Sequence, residues 1–568
     1  MSTLTINGQD LTLGDDEQLN VVQAAKKAGV EIPHYCWHPS LSVVASCRMC
    51  LVEVGEKKPD GSVAMMPKLV PACQTPAKAN TVVVTDSDKV KQAQAATLEY
   101  LLLNHPLDCP TCDQAGECFL QDYSFKFGNA ETRLQEPKEI RKDKDYIGEQ
   151  ITLFTDRCVM CSRCVRFTRE ISGTAELQIV NRGTHAEIDI YPGNPCDNKL
   201  AGNVVDLCPV GALCSKDFLY KQRVWWLKSR NSVCPGCSTG CSIHVDQNED
   251  HIYRLKPREN PLAQGDFMCD EGRFGFKYVQ AEERLTAPEW KKPQPESNGS
   301  SSSVSRWSEI VNHVRESFRL VAKKSPRSIA AVFSPWMTCE EAYLLASWLK
   351  KLSPQVRLTL GPIPVVGEDD RYPKNWRGEP LEPTKFTIRA EKCPNRLGVA
   401  AVLSHFQSIR EDFSSIFNAA RAGELQAAYV VGGGPPGWLS SDEVKALAQV
   451  PLLVAQDILR SELTNAAQVV LPGASFAEKE GTYVNHAGLA QMILRSVHPV
   501  AEGYNDCRIF MEISQREGLF NARVMRKEIA EQISAFRPIA SGDLGEYGVM
   551  LPALQGAAKQ ANLSEARQ

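Results

Sequence analysis

Cys158, Cys161 and Cys164 follow one another as C-x2-C-x2-C, and Cys208-Pro209 comes after 43 intervening residues. Three thiolates from one tight loop and a fourth from a distant segment form the donor set of a 4Fe–4S cubane. Single zinc ions more often take cysteines as separated pairs. This set is the strongest chemical signal in a chain of 20 cysteines, most of which lie before residue 270. Grouped cysteines of this kind, in a reducing compartment, bind metal more often than they pair as disulfides.

Three other groups carry related chemistry. Cys36, Cys47, Cys50 and Cys73 are spaced C-x10-C-x2-C-x22-C. A long loop of three thiolates closed by a distant fourth resembles the plant-type 2Fe–2S arrangement, with a longer first gap; a zinc site is the alternative. Cys109, Cys112 and Cys118 have no fourth cysteine beside them, which leaves one iron of a cubane without a thiolate. His105, just upstream, offers a neutral imidazole nitrogen. A histidine before a proline is more often a turn or cap residue, and spacing alone leaves both readings open. Cys234, Cys237, Cys241 and Cys269, at C-x2-C-x3-C-x27-C, make a further four-thiolate set. It resembles the N-terminal cubane module of molybdopterin oxidoreductases. Cys196, Cys214, Cys339, Cys393 and Cys507 remain, and buried free thiols are their ordinary reading; Cys196 is a minor alternative ligand near Cys208. Arg157, Arg163 and Arg166 flank the third group, either to offset an anionic cluster or as a solvated helix face.

The elements that position these residues are legible locally. TLTINGQDLTL reads as a hairpin turned by Asn7-Gly8, and EQLNVVQAAKKAG as a helix ended by Gly29. DSDKVKQAQAATLEYLLLNHP reads as a helix capped by Asp86 or Ser87, with Val90, Leu98, Leu101 and Leu102 on its apolar face. PQPESNGSSSSVSR is a linker. Beyond it, strands at SIAAVFSP, LQAAYVVGGG, PLLVAQD and AAQVVLPG alternate with helices at EEAYLLASWLKKL and SSDEVKALAQV, an α/β layout with a mostly parallel sheet. The net charge of −4 shows no basic stripe for nucleic acid. No apolar run reaches the ~20 residues that cross a bilayer, and the N-terminus does not read as a secretory signal or transit peptide. A soluble, cytoplasmic protein that meets the membrane only through partners is expected.

The order PHYC(x10)CRMC, HPLDCPTC(x5)CFLQ, RCVMCSRCVRF and Cys208-Pro209 over residues 33 to 209 resembles the large iron–sulfur subunit family of respiratory complex I, the NADH:quinone oxidoreductase. Residues 230 to 280 match the extra cubane module that many bacterial members keep. The resemblance implies one 2Fe–2S cluster on Cys36, Cys47, Cys50 and Cys73. It implies three 4Fe–4S clusters, on His105, Cys109, Cys112 and Cys118; on Cys158, Cys161, Cys164 and Cys208; and on Cys234, Cys237, Cys241 and Cys269. It implies a multidomain α+β and α/β chain: a β-grasp ferredoxin domain (1–80), a His/Cys cubane domain (81–150), a 4Fe–4S ferredoxin-like domain (151–225) and a molybdopterin-oxidoreductase-type cubane module (226–285). A linker (286–306), a shortened molybdopterin-oxidoreductase-like α/β domain (307–540) and a tail (541–568) follow.

The implied function is a relay of single electrons from an NADH/FMN subunit towards quinone. The implied partners are that flavoprotein, a 2Fe–2S subunit and the quinone-side hydrophilic subunits, on the inner face of a bacterial plasma membrane. No complete active site is expected on this chain alone. The family usually has glycine where Ala45 stands and a small-residue pair at Ala115-Gly116; a positive φ at either alanine would strain its loop. The main rival is a molybdenum-dependent, formate-dehydrogenase-like catalytic subunit. Against it, Glu271 stands where catalytic relatives usually place a lysine, no recognisable Cys or Ser metal-ligand motif is present, and Gly432–Gly434 read as a tight turn rather than a phosphate cradle. A hydrogenase electron-transfer subunit and a zinc-stabilised scaffold are the other readings.

Overall fold

The computed structural model describes residues 2–14, 16–291, 302–304, 306–407, 411–434 and 437–555. The chain divides into two compact units. One holds Met1–Leu227 with Tyr372–Thr384, and the other Lys228–Arg371 with Lys385–Gln568.

The first unit begins with a β-grasp sheet. Asn7 and Gly8 both take positive φ (47° and 81°), as a type I′ turn requires, and join the antiparallel strands Ser2–Ile6 and Gln9–Leu13. Ser2–Ile6 also pairs in parallel with Thr81–Val84, which pairs with Leu51–Lys57. The helix Val21–Lys27 starts at a reciprocal capping box between Asn20 and Gln23, a device worth about 1 kcal/mol. Its Val21, Val22, Ala24 and Ala25 pack on Leu4, Ile6, Val52 and Val83. Helix Asp88–Leu102 is capped by Ser87, whose side chain accepts the Val90 N–H, and helix Phe119–Phe127 follows the second cysteine group. The third group sits where the helices Arg163–Glu170 and Asn203–Leu207 meet the paired strands Ile151–Leu153 and Leu213–Ser215.

The second unit opens with the antiparallel strands Lys228–Val233, Ser242–Asn248 and His251–Pro257. Among the described residues its main sheet has seven strands. Five are parallel, in the order Val469–Pro472, Leu452–Asp457, Ala427–Val431, Ile329–Phe333, Arg357–Leu360. Alternation along Ile329–Phe333 sends Ala331 and Phe333 into one core and Ala330 and Val332 into the other. Strands buried on both faces in this way read as continuous apolar runs.

Three expected boundaries are corrected. The span 286–306 is not all linker: Glu289–Lys291 and Ser302–Val304 add two antiparallel strands to the sheet edge, and residues 292–301 and 305 lie outside the described set. The span 541–568 does not begin as a tail: Val549–Met550 pairs with Leu489–Ile493, and Leu551 and Leu554 are buried in the main core. Tyr372–Thr384, expected inside the α/β domain, belongs to the first unit, where the Lys374 N–H donates to the Ile171 carbonyl at 3.0 Å. Among the described residues no helix is long and apolar enough to cross a membrane.

Candidate iron–sulfur sites

The four sulfurs of the first group are linked in a row of hydrogen-bonding contacts, Cys47 to Cys36, Cys36 to Cys73 and Cys73 to Cys50. Cys47 and Cys73 hold the Cys36 thiol far below its ordinary range, Cys73 likewise lowers Cys50, and Cys47 and Cys73 are themselves pushed up. Bound iron would take the place of the thiol protons in this set. The loop is shaped by left-handed residues, Ala45 at φ 50° and Arg48 at φ 56°. The strain foreseen at Ala45 is present; at Ala115-Gly116 the positive φ (92°) falls on the glycine, and Ala115 escapes it.

In the third group Cys158, Cys161, Cys164 and Cys208 line one cavity, closed by Leu153, Ile188, Val210 and Leu213. Burial pushes the Cys158 thiol up to about 12 and Cys161 to about 11, with neighbouring sulfurs adding to it. Four thiolates cannot share so apolar a space without bound cations. Met160 and Ser162 take positive φ (51° and 59°), and the Met160 N–H points at the Cys158 sulfur at 3.4 Å. Cys196 is buried but does not line this cavity.

In the second group Cys112 and Cys118 are buried and Cys109 is exposed. Burial raises Cys118 to about 11, and Cys112 and Cys109 add to the rise. His105 stands in the turn after helix Asp88–Leu102. Burial, helped by Arg157 and Lys138, lowers its imidazole to about 4, so it is neutral and keeps a lone pair. Arg157 pairs with Asp108 at 2.9 Å, and Arg223 donates to the carbonyls of both Cys112 and Cys109 at 3.0 Å. A Cβ on Gly211 would stand 2.1 Å from the Cys112 sulfur, so only glycine fits there. Gly211 and Arg223 are supports that the cysteine spacing did not reveal; the Pro209-Val210-Gly211 run after Cys208 was the available hint.

In the fourth group all four cysteines are buried. The Cys234 N–H donates to the Cys241 carbonyl at 2.9 Å, and the Gly272 N–H points at the Cys269 sulfur at 3.4 Å. A Cβ on Gly272 would meet the sulfurs of Cys234 and Cys269 at 2.8 and 3.6 Å, so this glycine brings the two together. Burial raises Cys269 to about 12. Among the described residues no three His, Cys, Asp or Glu groups are set to hold a single metal ion, so the sets rest on spacing and mutual placement.

The space beside the fourth group is occupied by the chain itself. Glu271 pairs with Lys392 at 2.6 Å. The Trp336 ring fills the approach to Gly434, and its N–H donates to the Pro235 carbonyl at 3.2 Å. The Gly433 N–H, which a phosphate would need, donates to Asp457 at 2.9 Å. A cavity of about 180 Å³ remains, smaller than the roughly 300–1,000 Å³ of ordinary ligand sites. Cys339 is a buried core thiol beside Asn395 and Gly398.

A β-grasp sheet, two cysteine-lined loops and a cubane module on an α/β domain define a multi-cluster iron–sulfur electron-transfer protein. Known families match in the same order. Residues 1–88 match the 2Fe-2S iron-sulfur cluster binding domain, and 94–133 the NADH-ubiquinone oxidoreductase-G iron-sulfur binding region. Residues 148–214 match the ferredoxin-like domain of NADH-quinone oxidoreductase subunit 3, 227–281 the molybdopterin oxidoreductase Fe4S4 domain, and 399–516 molybdopterin oxidoreductase. The G subunit of NADH-quinone oxidoreductase from Rickettsia bellii is 33% identical over 89% of this chain and 69% of its own length. Its Rickettsia felis counterpart is 29% identical over 95% and 92%. A solved NAD+-reducing [NiFe]-hydrogenase chain is 27% identical over 39% of this chain and 91% of its own, with a TM-score of 0.34. The chain belongs to the family of NADH-quinone oxidoreductase G subunits and serves electron transfer within complex I, alongside other subunits. A formate-dehydrogenase-like role is not favoured.

Proposed function

We propose that this subunit relays single electrons from an NADH/FMN-binding subunit towards quinone through one 2Fe–2S and three 4Fe–4S clusters. Cys36, Cys47, Cys50 and Cys73 hold the first. His105, Cys109, Cys112 and Cys118 hold the second; Cys158, Cys161, Cys164 and Cys208 the third; Cys234, Cys237, Cys241 and Cys269 the fourth. When bound, these groups supply reversible one-electron chemistry. The chain's part is to hold the donors, exclude water and set the local charge. The observation that carries the reading is the cavity lined by all four sulfurs of the third group.

The flavoprotein and a 2Fe–2S subunit stand on the entry side, and quinone-side hydrophilic subunits receive electrons near the exposed Cys109. The subunit lies peripherally on the inner face of a bacterial plasma membrane, held there by its partners. The α/β domain is a scaffold without molybdopterin, because Trp336, Asp457 and the Glu271–Lys392 pair fill the place such a group would need.

Elemental analysis of anaerobically purified protein tests this. About 14 irons per chain with no molybdenum is expected. One molybdenum per chain overturns the scaffold reading, and zinc in place of iron overturns the relay.

A further inference from the structure

Arg163 and Arg166 are only 5% and 6% exposed, yet among the described residues neither meets a carboxylate. Every acceptor they reach is a neutral oxygen. A buried charge left without a counter-charge is strongly unfavourable, so one must be supplied. The acceptors say where. Arg163 donates to the carbonyl of Leu207 at 3.2 Å, one residue before Cys208, and to that of Trp37 at 2.6 Å, one residue after Cys36. Its guanidinium also lies 5.8 Å from the ring of Phe119, one residue after Cys118. Arg166 donates to the carbonyls of Cys36 and Ser42, and the nitrogen on Cys36 also reaches the Cys161 carbonyl at 3.4 Å. One guanidinium nitrogen thus touches a ligand residue of the first group and one of the third.

We propose that Arg163 and Arg166 are positioning residues that raise the reduction potentials of the first and third clusters, and that Arg166 joins their loops as a hydrogen-bonded bridge for the electron between them. This rests on the ligand sets proposed above. Thiolate-ligated clusters are anionic and become more so on reduction, so a fixed cation at close range in a low-dielectric site favours the reduced form. The bridge runs from the Cys36 carbonyl through the Arg166 nitrogen to the Cys161 carbonyl. The step moves one electron and no atom: one site is oxidised as the other is reduced, and the guanidinium keeps its charge throughout.

The test compares Arg166→Gln, Arg163→Gln and Arg166→Lys in the assembled complex, by EPR-monitored redox titration and iron analysis. Both glutamine variants remove charge and should lower the midpoints of the first and third clusters, with iron per chain and the fourth cluster's midpoint unchanged. Arg166→Lys keeps the charge and loses the fork. It should leave the midpoints near wild type but slow the reduction of the third cluster after the first, followed by rapid-freeze EPR after NADH addition. Unmoved midpoints in both glutamine variants overturn the charge role, and unslowed transfer in Arg166→Lys overturns the bridge. If Arg166→Gln loses iron, Arg166→Lys decides: loss there too shows a folding role alone and overturns the proposal, while retained iron with slowed transfer upholds it. A wild-type complex without signals from these two clusters overturns the ligand sets beneath the proposal; retained signals with unmoved midpoints overturn the proposal alone.

Discussion

The two units differ in how they treat part of their buried charge. In the second unit buried cations find carboxylates: Arg284 with Glu478 at 2.8 Å, Lys479 with Glu341 at 2.9 Å and Arg526 with Glu340 at 3.4 Å. Lys392, beside the fourth cysteine group, is neutralised by Glu271. In the first unit Arg157 and Lys144 also find carboxylates, Asp108 at 2.9 Å and Asp189 at 2.7 Å, but Arg163 and Arg166 meet only neutral oxygens. The backbone differs in the same direction. The cysteine loops of the first and third groups put Ala45, Arg48, Met160 and Ser162 in the left-handed region, whereas the fourth group's loop uses Gly240 at φ 64°. The second unit neutralises these cations with its own carboxylates, and the loop of its cysteine group turns on glycine. The first unit leaves the two guanidiniums of Arg163 and Arg166 without a carboxylate and strains the loops of its first and third cysteine groups.

The largest way to break this comparison is to spoil a pair in the second unit. Glu478→Ala leaves Arg284 buried without its carboxylate, with side chains that are 4% and 1% exposed in the intact pair. We expect a loss of about 3–5 kcal/mol in denaturant unfolding, with the midpoints of the first and third clusters unmoved. A loss below about 1 kcal/mol would show that the pairing does not carry the unit. Asp457 is an exception in this unit, since its partners are the amides of Gly433 and Ile458. Burial raises its carboxyl from 3.8 to about 6. The folded chain therefore keeps a proton that the unfolded chain has lost, and the stability this gives is present below about pH 4 and disappears as pH rises through about 6. Between pH 4 and 7 the wild type should lose on the order of 2–3 kcal/mol more than Asp457→Asn, read from paired urea titrations. Equal pH profiles would place the ionised carboxylate in a far more polar setting than the structure gives it.

Much of this was legible in the chain because it is local. Asn7-Gly8 announces its turn, Ser87 its helix, and the cysteine spacings group the donors. The parallel sheet follows from apolar runs alternating with amphipathic helices. What stayed hidden depends on residues far apart in sequence. Nothing around Arg166 indicates that it reaches Cys36, 130 positions away, nor around Lys392 that it meets Glu271, 121 away. The edge strands Glu289–Lys291 and Ser302–Val304 flank a Ser-rich stretch whose composition reads as linker, and only the exposed edge of the sheet gives them a place. Tyr372–Thr384 carries no signal that it packs with the first unit.

The fourth cysteine group offers a sharper contrast of medium size. Gly272→Ala drives a methyl group to 2.8 Å from the Cys234 sulfur. Overpacking of this kind costs about 1–3 kcal/mol, and the methyl group also separates two of the sulfurs proposed as ligands. The variant should lose about four irons per chain while the clusters of the first unit keep their EPR signals. Full iron retention would mean that the loop around Cys269 can shift, and that the fourth group is less tightly set than its burial indicates.

The smallest effect bears on strain. Ala45 lies in the left-handed region, where a Cβ costs roughly 1–2 kcal/mol, and glycine would remove that cost. Its methyl group is nonetheless buried in the β-grasp core, and removing it forfeits about 0.8 kcal/mol. Glycine also gives the unfolded chain more freedom, which opposes folding by roughly 0.4–1 kcal/mol. The terms nearly cancel, so Ala45→Gly should change stability by less than about 1 kcal/mol in either direction. The informative reading is therefore the first cluster itself. If strain at Ala45 holds the Cys47 and Cys50 sulfurs in place, the glycine variant should broaden that cluster's EPR lines at unchanged iron content, because the loop gains freedom without losing a donor. Unchanged lines would mean that the neighbouring core, and not the alanine, holds the loop, and the contrast with the relaxed Gly240 would then rest on Arg48, Met160 and Ser162 alone.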